Sequence, residues 1–226
     1  MPVLSVIIPV YNEEKTIRQI LEKVHAVNID KEIIVVDDSS EDATGKILRD
    51  INYPSLKVIH QVSKHGKGRA VLTGLANASG DFVILQDADL EYEPNDYHQL
   101  LKAANELKAD LVLGARFKDG HRGLFMHRLG NRFLTSFINC LFGANLNDYA
   151  TCYKLASRRT YMELHVEAKG FELDAEIVCN ALKRKLKVLE VPVSYYPRSY
   201  AEGKKIRWVD GISAIFSIIK YRLTRI

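Results

Sequence analysis

Cysteine is scarce: Cys140, Cys152 and Cys179 are the only three in 226 residues, and no two form a C-x-x-C pair. An odd, widely spaced set excludes a disulfide scaffold and a zinc ribbon, and favours a reducing, cytoplasmic setting. No Pro/Gly/Ser-rich linker or low-complexity tract interrupts the chain, so its 25.6 kDa reads as one α/β domain with a C-terminal appendage. No apolar run approaches the roughly 20 residues of a membrane span. Met1-Pro2-Val3-Leu4-Ser5 has neither a basic start nor a cleavage site, so no secretory leader is expected. The net charge of +4 is mild, and the basic residues lack regular aromatic interleaving, so nucleic acid is not an expected partner.

Several catalytic signatures are missing too. The first strand-to-helix turn carries Pro9-Val10-Tyr11-Asn12-Glu13-Glu14 where a dinucleotide-binding unit needs G-x-G-x-x-G. Side chains there suit holding a base better than cradling a diphosphate. No G-x-x-x-x-G-K-[ST] occurs, which argues against a P-loop NTPase, and no Ser lies in a G-x-S-x-G elbow, which removes support for hydrolase chemistry. None of the histidines has a spacing that suggests a metal pair or a nucleophilic triad.

What is present is an alternation of short apolar runs and helix-spaced segments. Strands are expected at Val3–Pro9, Glu32–Val36, Leu56–His60, Asp81–Gln86 and Leu111–Ala115. Helices are expected over Glu13–Val27, with Ile17, Ile20, Leu21 and Val24 on one face, then Gly68–Ala78 and Asn95–Leu107. A further helix is expected after Asp37, capped by Ser39 or Ser40. Beyond Arg116 the pattern shifts to a basic helix near Leu124–Leu141, a strand at Thr151–Leu155, a helix at Phe171–Arg184, a strand at Val188–Val193 and an amphipathic helix over Ile206–Ile226. Such alternation predicts a mostly parallel, Rossmann-like sheet with helices on both faces and ligands beyond the carboxyl ends of its strands. Acids gather in the first half and Lys and Arg from Arg116 onward, so an anionic ligand would be met by the second half.

The most telling stretch is Asp87-Ala88-Asp89-Leu90-Glu91, directly after the apolar run ending at Gln86. Acids at alternate positions on a strand end read as an oxygen-only metal site for a hard ion such as Mg²⁺ or Mn²⁺, with Asp87, Asp89 and Glu91 as ligands. The bland reading of an isolated D-x-D is a solvated turn.

Four segments set that turn in context: Pro9-Val10-Tyr11-Asn12-Glu13, Val35-Val36-Asp37-Asp38-Ser39-Ser40, Gly66-Lys67-Gly68-Arg69-Ala70-Val71 and Gln86-Asp87-Ala88-Asp89-Leu90-Glu91. Together they resemble family 2 glycosyltransferases of the GT-A fold. In the second half, Asp148-Tyr149-Ala150-Thr151-Cys152-Tyr153-Lys154, Gly170-Phe171-Glu172-Leu173-Asp174-Ala175-Glu176 and Glu190-Val191-Pro192-Val193-Ser194-Tyr195-Tyr196-Pro197-Arg198 resemble the polyprenyl-phosphate branch, typified by dolichol-phosphate mannose synthases. The resemblance covers nearly the whole chain. It implies a GT-A catalytic domain over 1–203, divided into a nucleotide-sugar half (1–116) and an acceptor half (117–203), followed by an amphipathic element over 204–226.

The resemblance also implies roles. A GDP- or UDP-hexose would be the donor, with Pro9, Tyr11, Asn12 and Glu13 lining the base pocket and Asp37 fixing base or ribose. Asp38 is open between ligand binding and support of a helix N-terminus. Lys67, Asp87 and Ala88 belong to the donor site, with Asp89 and Glu91 holding the ion on the diphosphate. Arg198, Lys204 and Lys205 would close on that diphosphate, the alternative being a solvated basic loop. A polyprenyl (dolichyl or undecaprenyl) phosphate would be the acceptor, its phosphate met by Arg116, Arg128 and Arg132, since Arg offers a bidentate fork. Arg128 and Arg132 stand one helical turn apart.

Asp174 is open between a base and an acceptor-positioning group, while Glu172 and Glu176 read as structural. The catalytic set is thus Asp89, Arg116, Arg128 and Asp174. Two departures stand out: mannose synthases often carry Gln where Glu91 stands, and many relatives read S-G-F-R where this chain reads Thr151-Cys152-Tyr153-Lys154. The last helix, with Trp208, Phe216 and terminal cations, suits an interfacial helix or one packed on the domain. Peripheral contact at the cytoplasmic face of a membrane, with a possible separate membrane subunit, is the expectation. Transfer to a saccharide or protein hydroxyl, or a non-catalytic nucleotide-sugar-binding subunit, are the alternatives.

Overall fold

The computed structural model describes residues 2–116, 125–168, 170, 172–198 and 208–224, with backbone only at 125–127 and 208–212. Among these residues seven strands form one sheet: β1 (Leu4–Val10), β2 (Lys31–Asp37), β3 (Leu56–His60), β4 (Phe82–Leu85), β5 (Leu111–Ala115), β6 (Lys154–Ser157) and β7 (Val188–Pro192). Their order is β3-β2-β1-β4-β6-β5-β7. All pairings are parallel except those of β6, which runs antiparallel to both β4 and β5. That inversion delivers the start of β6, at Lys154, to the same edge where β1, β2, β4 and β5 end.

The strands are apolar on both faces because both faces are covered. Val6, Ile7, Ile8, Ile33, Ile34 and Val35 are fully buried, each contributing about 1.5–3 kcal/mol relative to exposure. Helix α1 (Ile17–Ala26) buries the expected Ile17, Ile20, Leu21 and Val24. Helix α3 (Lys67–Asn77) lies so close to the sheet that a Cβ on Gly74 would sit 2.4 Å from Ile7 Cγ2. The remaining helices are α2 (Thr44–Asp50), α4 (Tyr97–Glu106), α5 (Phe125–Phe142), α6 (Arg158–Glu163), α7 (Leu173–Lys183) and α8 (Trp208–Leu223).

Three local expectations are corrected. Neither Ser39 nor Ser40 caps α2: the helix starts five and four residues later at Thr44, Ser39 is left-handed at φ 63°, and Ser40 Oγ instead accepts from the Asn12 amide at 3.0 Å. Asp42 Oδ1 takes up the Thr44 amide at 2.9 Å. The strand expected at Thr151–Leu155 begins only at Lys154. Thr151, Cys152 and Tyr153 are buried as a strand would be, but inside a turn pinned by Tyr92, whose hydroxyl accepts from the Cys152 amide at 2.9 Å. The first helix starts at Ile17, not Glu13, because Glu13 belongs to the turn whose carbonyl accepts from the Ile17 amide at 2.9 Å. Ile206 and Ile226, the expected ends of the last helix, lie outside the described residues.

Candidate active site

The carboxyl edge of the sheet is stitched by side chains before any ligand is considered. Asn12, left-handed at φ 53°, bonds the first turn to the β2–α2 loop in both directions, its amide to Ser40 Oγ and its Oδ1 from the Glu41 amide at 2.8 Å. Glu13 joins through its amide to Thr44 Oγ1 at 2.9 Å. Asp37, buried at the end of β2, accepts from the Ser40 amide at 3.0 Å with one oxygen and lies 2.9 Å from His60 Nδ1 with the other. Asp38 accepts from the amides of His65 and Gly66, both at 2.8 Å. Its carboxylate therefore organises the start of α3, where Gly66 at φ 97° makes the approach possible. The Tyr11 ring carries the Lys64 ammonium 3.7 Å above its centroid, while Pro9 continues β1 opposite Val36.

At the end of β4, Gln86 is fully buried between two tyrosines, its Oε1 accepting from Tyr97 and Tyr153 at 2.5 and 2.8 Å. Tyr92 packs against Tyr153 and Tyr195 with ring centroids 4.6 and 5.3 Å apart. On this aromatic floor sits the acid turn through Ala88, itself buried, with Leu90 left-handed at φ 63°.

The acids do not form one ligand cage. Asp87 pairs with Lys67, Oδ1 to Nζ at 2.7 Å. Burial alone would push the Asp87 carboxyl up and the Lys67 ammonium down, but the attraction between them prevails, so Asp87 is lowered and Lys67 raised. Asp89 Oδ2 lies 2.9 Å from Arg198 Nη2. Glu91 is a staple: its oxygens accept from the Tyr195 hydroxyl at 2.7 Å and the Arg198 amide at 2.8 Å. Among the described residues no three His, Cys, Asp or Glu side chains are arranged to hold a metal ion. In this arrangement Glu91 holds the chain that follows β7 through Tyr195 and Arg198.

Asp89 nonetheless shares its one guanidinium with Glu13 and Glu91. Burial, then the Asp87 and Glu91 charges, push its carboxyl up to about 7 despite the pull of Arg198. Hard oxygen donors crowded around one guanidinium fit a divalent cation, and such ions are commonly held by one or two carboxylates plus substrate phosphates.

Arg116, at the end of β5, is bound through its amide, Nε and Nη2 to Asp148 at 3.0, 2.8 and 2.8 Å. Asp148 is fully buried and also accepts from Asn131 Nδ2 at 2.9 Å. One edge of the Arg116 guanidinium is thus committed to holding α5 and the 146–150 turn against β5. Arg128 and Arg132 are exposed on α5, on either side of Asn131. Asp174, in the first turn of α7, lies 2.6 Å from the Nζ of fully buried Lys154, which also donates to the Thr151 carbonyl. Lys204 and Lys205 lie outside the described residues.

Sequence reasoning named Arg116 and Asp174 but missed their partners Asp148 and Lys154. A charged residue opening an otherwise apolar strand, as in Lys154-Leu155-Ala156, was the available signal.

Solved structures of the same architecture include glucosyl-3-phosphoglycerate synthase from Mycobacterium tuberculosis, in complex with Mn²⁺, UDP-glucose and phosphoglyceric acid. It is 22% identical with a TM-score of 0.74, over 98% of this chain and 80% of that one. The fold is therefore GT-A-like. The sequence model of glycosyl transferase family 2 matches residues 5–164, and the chain belongs to that family.

Among curated relatives, the low-salt glycan biosynthesis hexosyltransferase Agl6 of Haloferax volcanii is 30% identical over 204 residues, 87% of this chain but 48% of its own length. Glycosyltransferase AglJ of the same organism is 28% identical over 86% of this chain and 63% of its own length. This chain thus spans about half to two thirds of those two proteins. The undecaprenyl-phosphate mannosyltransferase of Micrococcus luteus is 27% identical over 96% of this chain and 93% of its own.

Proposed function

We propose that this glycosyltransferase moves a hexose, mannose or glucose, from a GDP- or UDP-hexose to a polyprenyl phosphate with inversion at the anomeric carbon. The observation that carries the reading is the acid turn after β4, where Asp89 and Glu91 share with Glu13 a single guanidinium, Arg198, of the kind suited to phosphate. The names of the M. luteus relative and of an undecaprenyl-phosphate sugar transferase from Edwardsiella ictaluri support the acceptor class.

Mg²⁺ or Mn²⁺ would be held by Asp89 and Asp87, as Mn²⁺ accompanies UDP-glucose in the M. tuberculosis structure. Bound there, the ion supplies charge stabilisation for the departing diphosphate. The chain's own residues do the positioning. Tyr11, Asn12 and Glu13 with Asp37 form the base and ribose end, on a turn already locked to the β2–α2 loop. Lys67 keeps Asp87 a carboxylate. Arg116, Arg128 and Arg132 would meet the acceptor phosphate.

In the transfer, an acceptor phosphate oxygen forms the new bond to the anomeric carbon as the bond to the diphosphate oxygen breaks, and the nucleoside diphosphate departs. A phosphate monoester has a second pKa of about 6 and is mostly ionised near neutrality, so no strong base is required. Asp174, paired with Lys154, then orients rather than deprotonates. Contact with a lipid acceptor at the cytoplasmic face, peripheral or through a separate membrane subunit, is part of the same proposal; among the described residues no helix is long and apolar enough to cross a membrane.

The test is to incubate purified protein with Mg²⁺ or Mn²⁺, a panel of nucleotide sugars and a short polyprenyl phosphate, and to follow glycolipid by mass spectrometry. Glycolipid from one donor, lost in Asp89→Ala, is the expected result. Donor turnover onto a sugar or peptide hydroxyl, with no glycolipid, would overturn the acceptor assignment.

A further inference from the structure

The guanidinium of Arg198 bridges the acids of two different loops. Nη2 is 2.9 Å from Asp89 Oδ2, Nη1 is 3.2 Å from Glu13 Oε2, and Nε is 3.9 Å from Glu91 Oε1. Its backbone is fixed as well, the amide donating to Glu91 at 2.8 Å. A positive charge inside the protein therefore sits on the carboxylate that the donor's cation would need. The arrangement is incomplete in one respect: Arg198 Nε is buried and has no hydrogen-bond acceptor among the described residues. A buried, unmet donor on a cationic fork is satisfied by an anion with several oxygens, such as a diphosphate.

Lys67 offers a contrast. It and Asp87 form a one-to-one pair whose mutual attraction overcomes burial on both sides. Arg198 is instead shared among Asp89, Glu13 and Glu91, so its contact is the exchangeable one.

We propose that Arg198 is an internal counter-ion of the Asp89 and Glu13 carboxylates in the donor-free protein, and that it is exchanged for a divalent cation only when a nucleoside diphosphate supplies the guanidinium with new acceptors. The inference rests on the donor reading above and deepens it. Metal and nucleotide binding become interdependent through one side chain: the metal alone must compete with Arg198, whereas the metal with a diphosphate gives Arg198 somewhere to go. By linkage, each then tightens the other by the same factor.

The experiment measures Mn²⁺ binding to the full chain by the loss of free-ion electron paramagnetic resonance signal, without nucleotide and with saturating GDP or UDP. Wild type should bind Mn²⁺ weakly alone and more tightly with the matching nucleotide. Arg198→Gln should bind Mn²⁺ alone about tenfold more tightly, the order expected when one competing charge-assisted contact is removed, and should lose the nucleotide enhancement. Arg198→Lys keeps the charge without the fork and should fall between the two, and it serves if the Gln variant does not fold. Arg159→Gln, which removes a cation from an exposed ion pair with Glu163, should change neither value.

A general loss of structure would weaken both bindings, so the opposite signs are the signature. If nucleotide tightens Mn²⁺ binding in wild type but neither Arg198 variant gains affinity for the metal alone, the counter-ion role is overturned while the donor reading stands. If wild type binds no Mn²⁺ under either condition, the donor reading falls and this inference with it.

Discussion

The Lys154 ammonium and the Asp174 carboxylate meet at 2.6 Å across the start of β6 and the first turn of α7, with Lys154 wholly removed from solvent. Lys67 and Asp87 repeat the arrangement at the ends of α3 and β4. Both pairs lie within electrostatic reach of Cys152, whose thiol burial pushes well up, so the sulfur adds no charge of its own. Removing one partner of a buried pair leaves an uncompensated charge, costing about 3–5 kcal/mol. Because Asp174 keeps some exposure, Lys154→Met is expected near the lower end, and Lys154→Arg, which keeps the charge, well below it. Urea unfolding followed by circular dichroism checks this; a wild-type midpoint for Lys154→Met would refute it.

The same pair separates two roles for Asp174. A general base contributes about 10²–10⁴ in rate, whereas a phosphate acceptor needs none. Asp174→Asn, assayed where it is fully folded, should lose less than about 100-fold in kcat and keep the wild-type pH profile. A larger loss, with the alkaline-rising limb of the profile removed, would place proton transfer on Asp174 and point to a hydroxyl acceptor.

These pairs also mark where sequence reading stops. The ends of β1, β2 and β4 were legible because the apolar runs Leu4–Val10, Ile33–Val36 and Phe82–Leu85 have no polar interruption other than Ser5, and they give way to Tyr11, Asp37 and Gln86-Asp87. The Asp148–Arg116 and Glu91–Arg198 contacts span 32 and 107 residues, and nothing local in the chain announces them. For Glu91, alternate spacing puts it with Asp87 and Asp89, while its contacts with Tyr195 and the Arg198 amide come from 104 and 107 residues away. The strand expected at Thr151 failed because burial in a turn and burial in a strand give the same apolar signature.

Glu32 supplies a pH test away from the site. Burial pushes its carboxyl up, but hydrogen bonds from Ser5, Ser79 and Gly80 outweigh that and lower it below the ordinary 4.5. Its Oε1 accepts from Ser5 Oγ at 2.5 Å and from the Ser79 and Gly80 amides at 2.6 and 3.1 Å, tying β1, β2 and the turn before β4 together. A depressed folded pKa means that the unfolded chain binds the proton more readily, so the stabilisation is present above about pH 4.5 and is lost as pH falls through the folded value. Glu32→Gln should be about 1 kcal/mol less stable at pH 7, with the gap to wild type closing below pH 4.5 in thermal melts. A gap that is constant with pH would assign the effect to shape rather than charge.

Helix α8 decides how a lipid-borne acceptor could be approached. Ile218 and Tyr221 are buried, and Lys183 of α7 donates to the Tyr221 and Thr224 carbonyls at the end of α8. One face of the helix is thereby held on the domain. The other exposes Phe216, Ile219 and Leu223 at 69%, 38% and 77%, with Lys220 in the same turns and Arg222 5.4 Å from the Phe142 ring of α5. On α5, Leu129 and Phe133 are exposed beside Arg128 and Arg132. Exposed apolar side chains interleaved with cations suit the interface of an anionic bilayer, where burial of apolar area and attraction to headgroups act together. Vesicles containing phosphatidylglycerol should therefore carry the protein upward in a flotation gradient, less so at high salt. Phe216→Glu with Leu223→Glu should abolish flotation and change stability by no more than about 0.5 kcal/mol, since neither side chain is in the core. Wild type that stays at the bottom of the gradient would reject peripheral docking through α8.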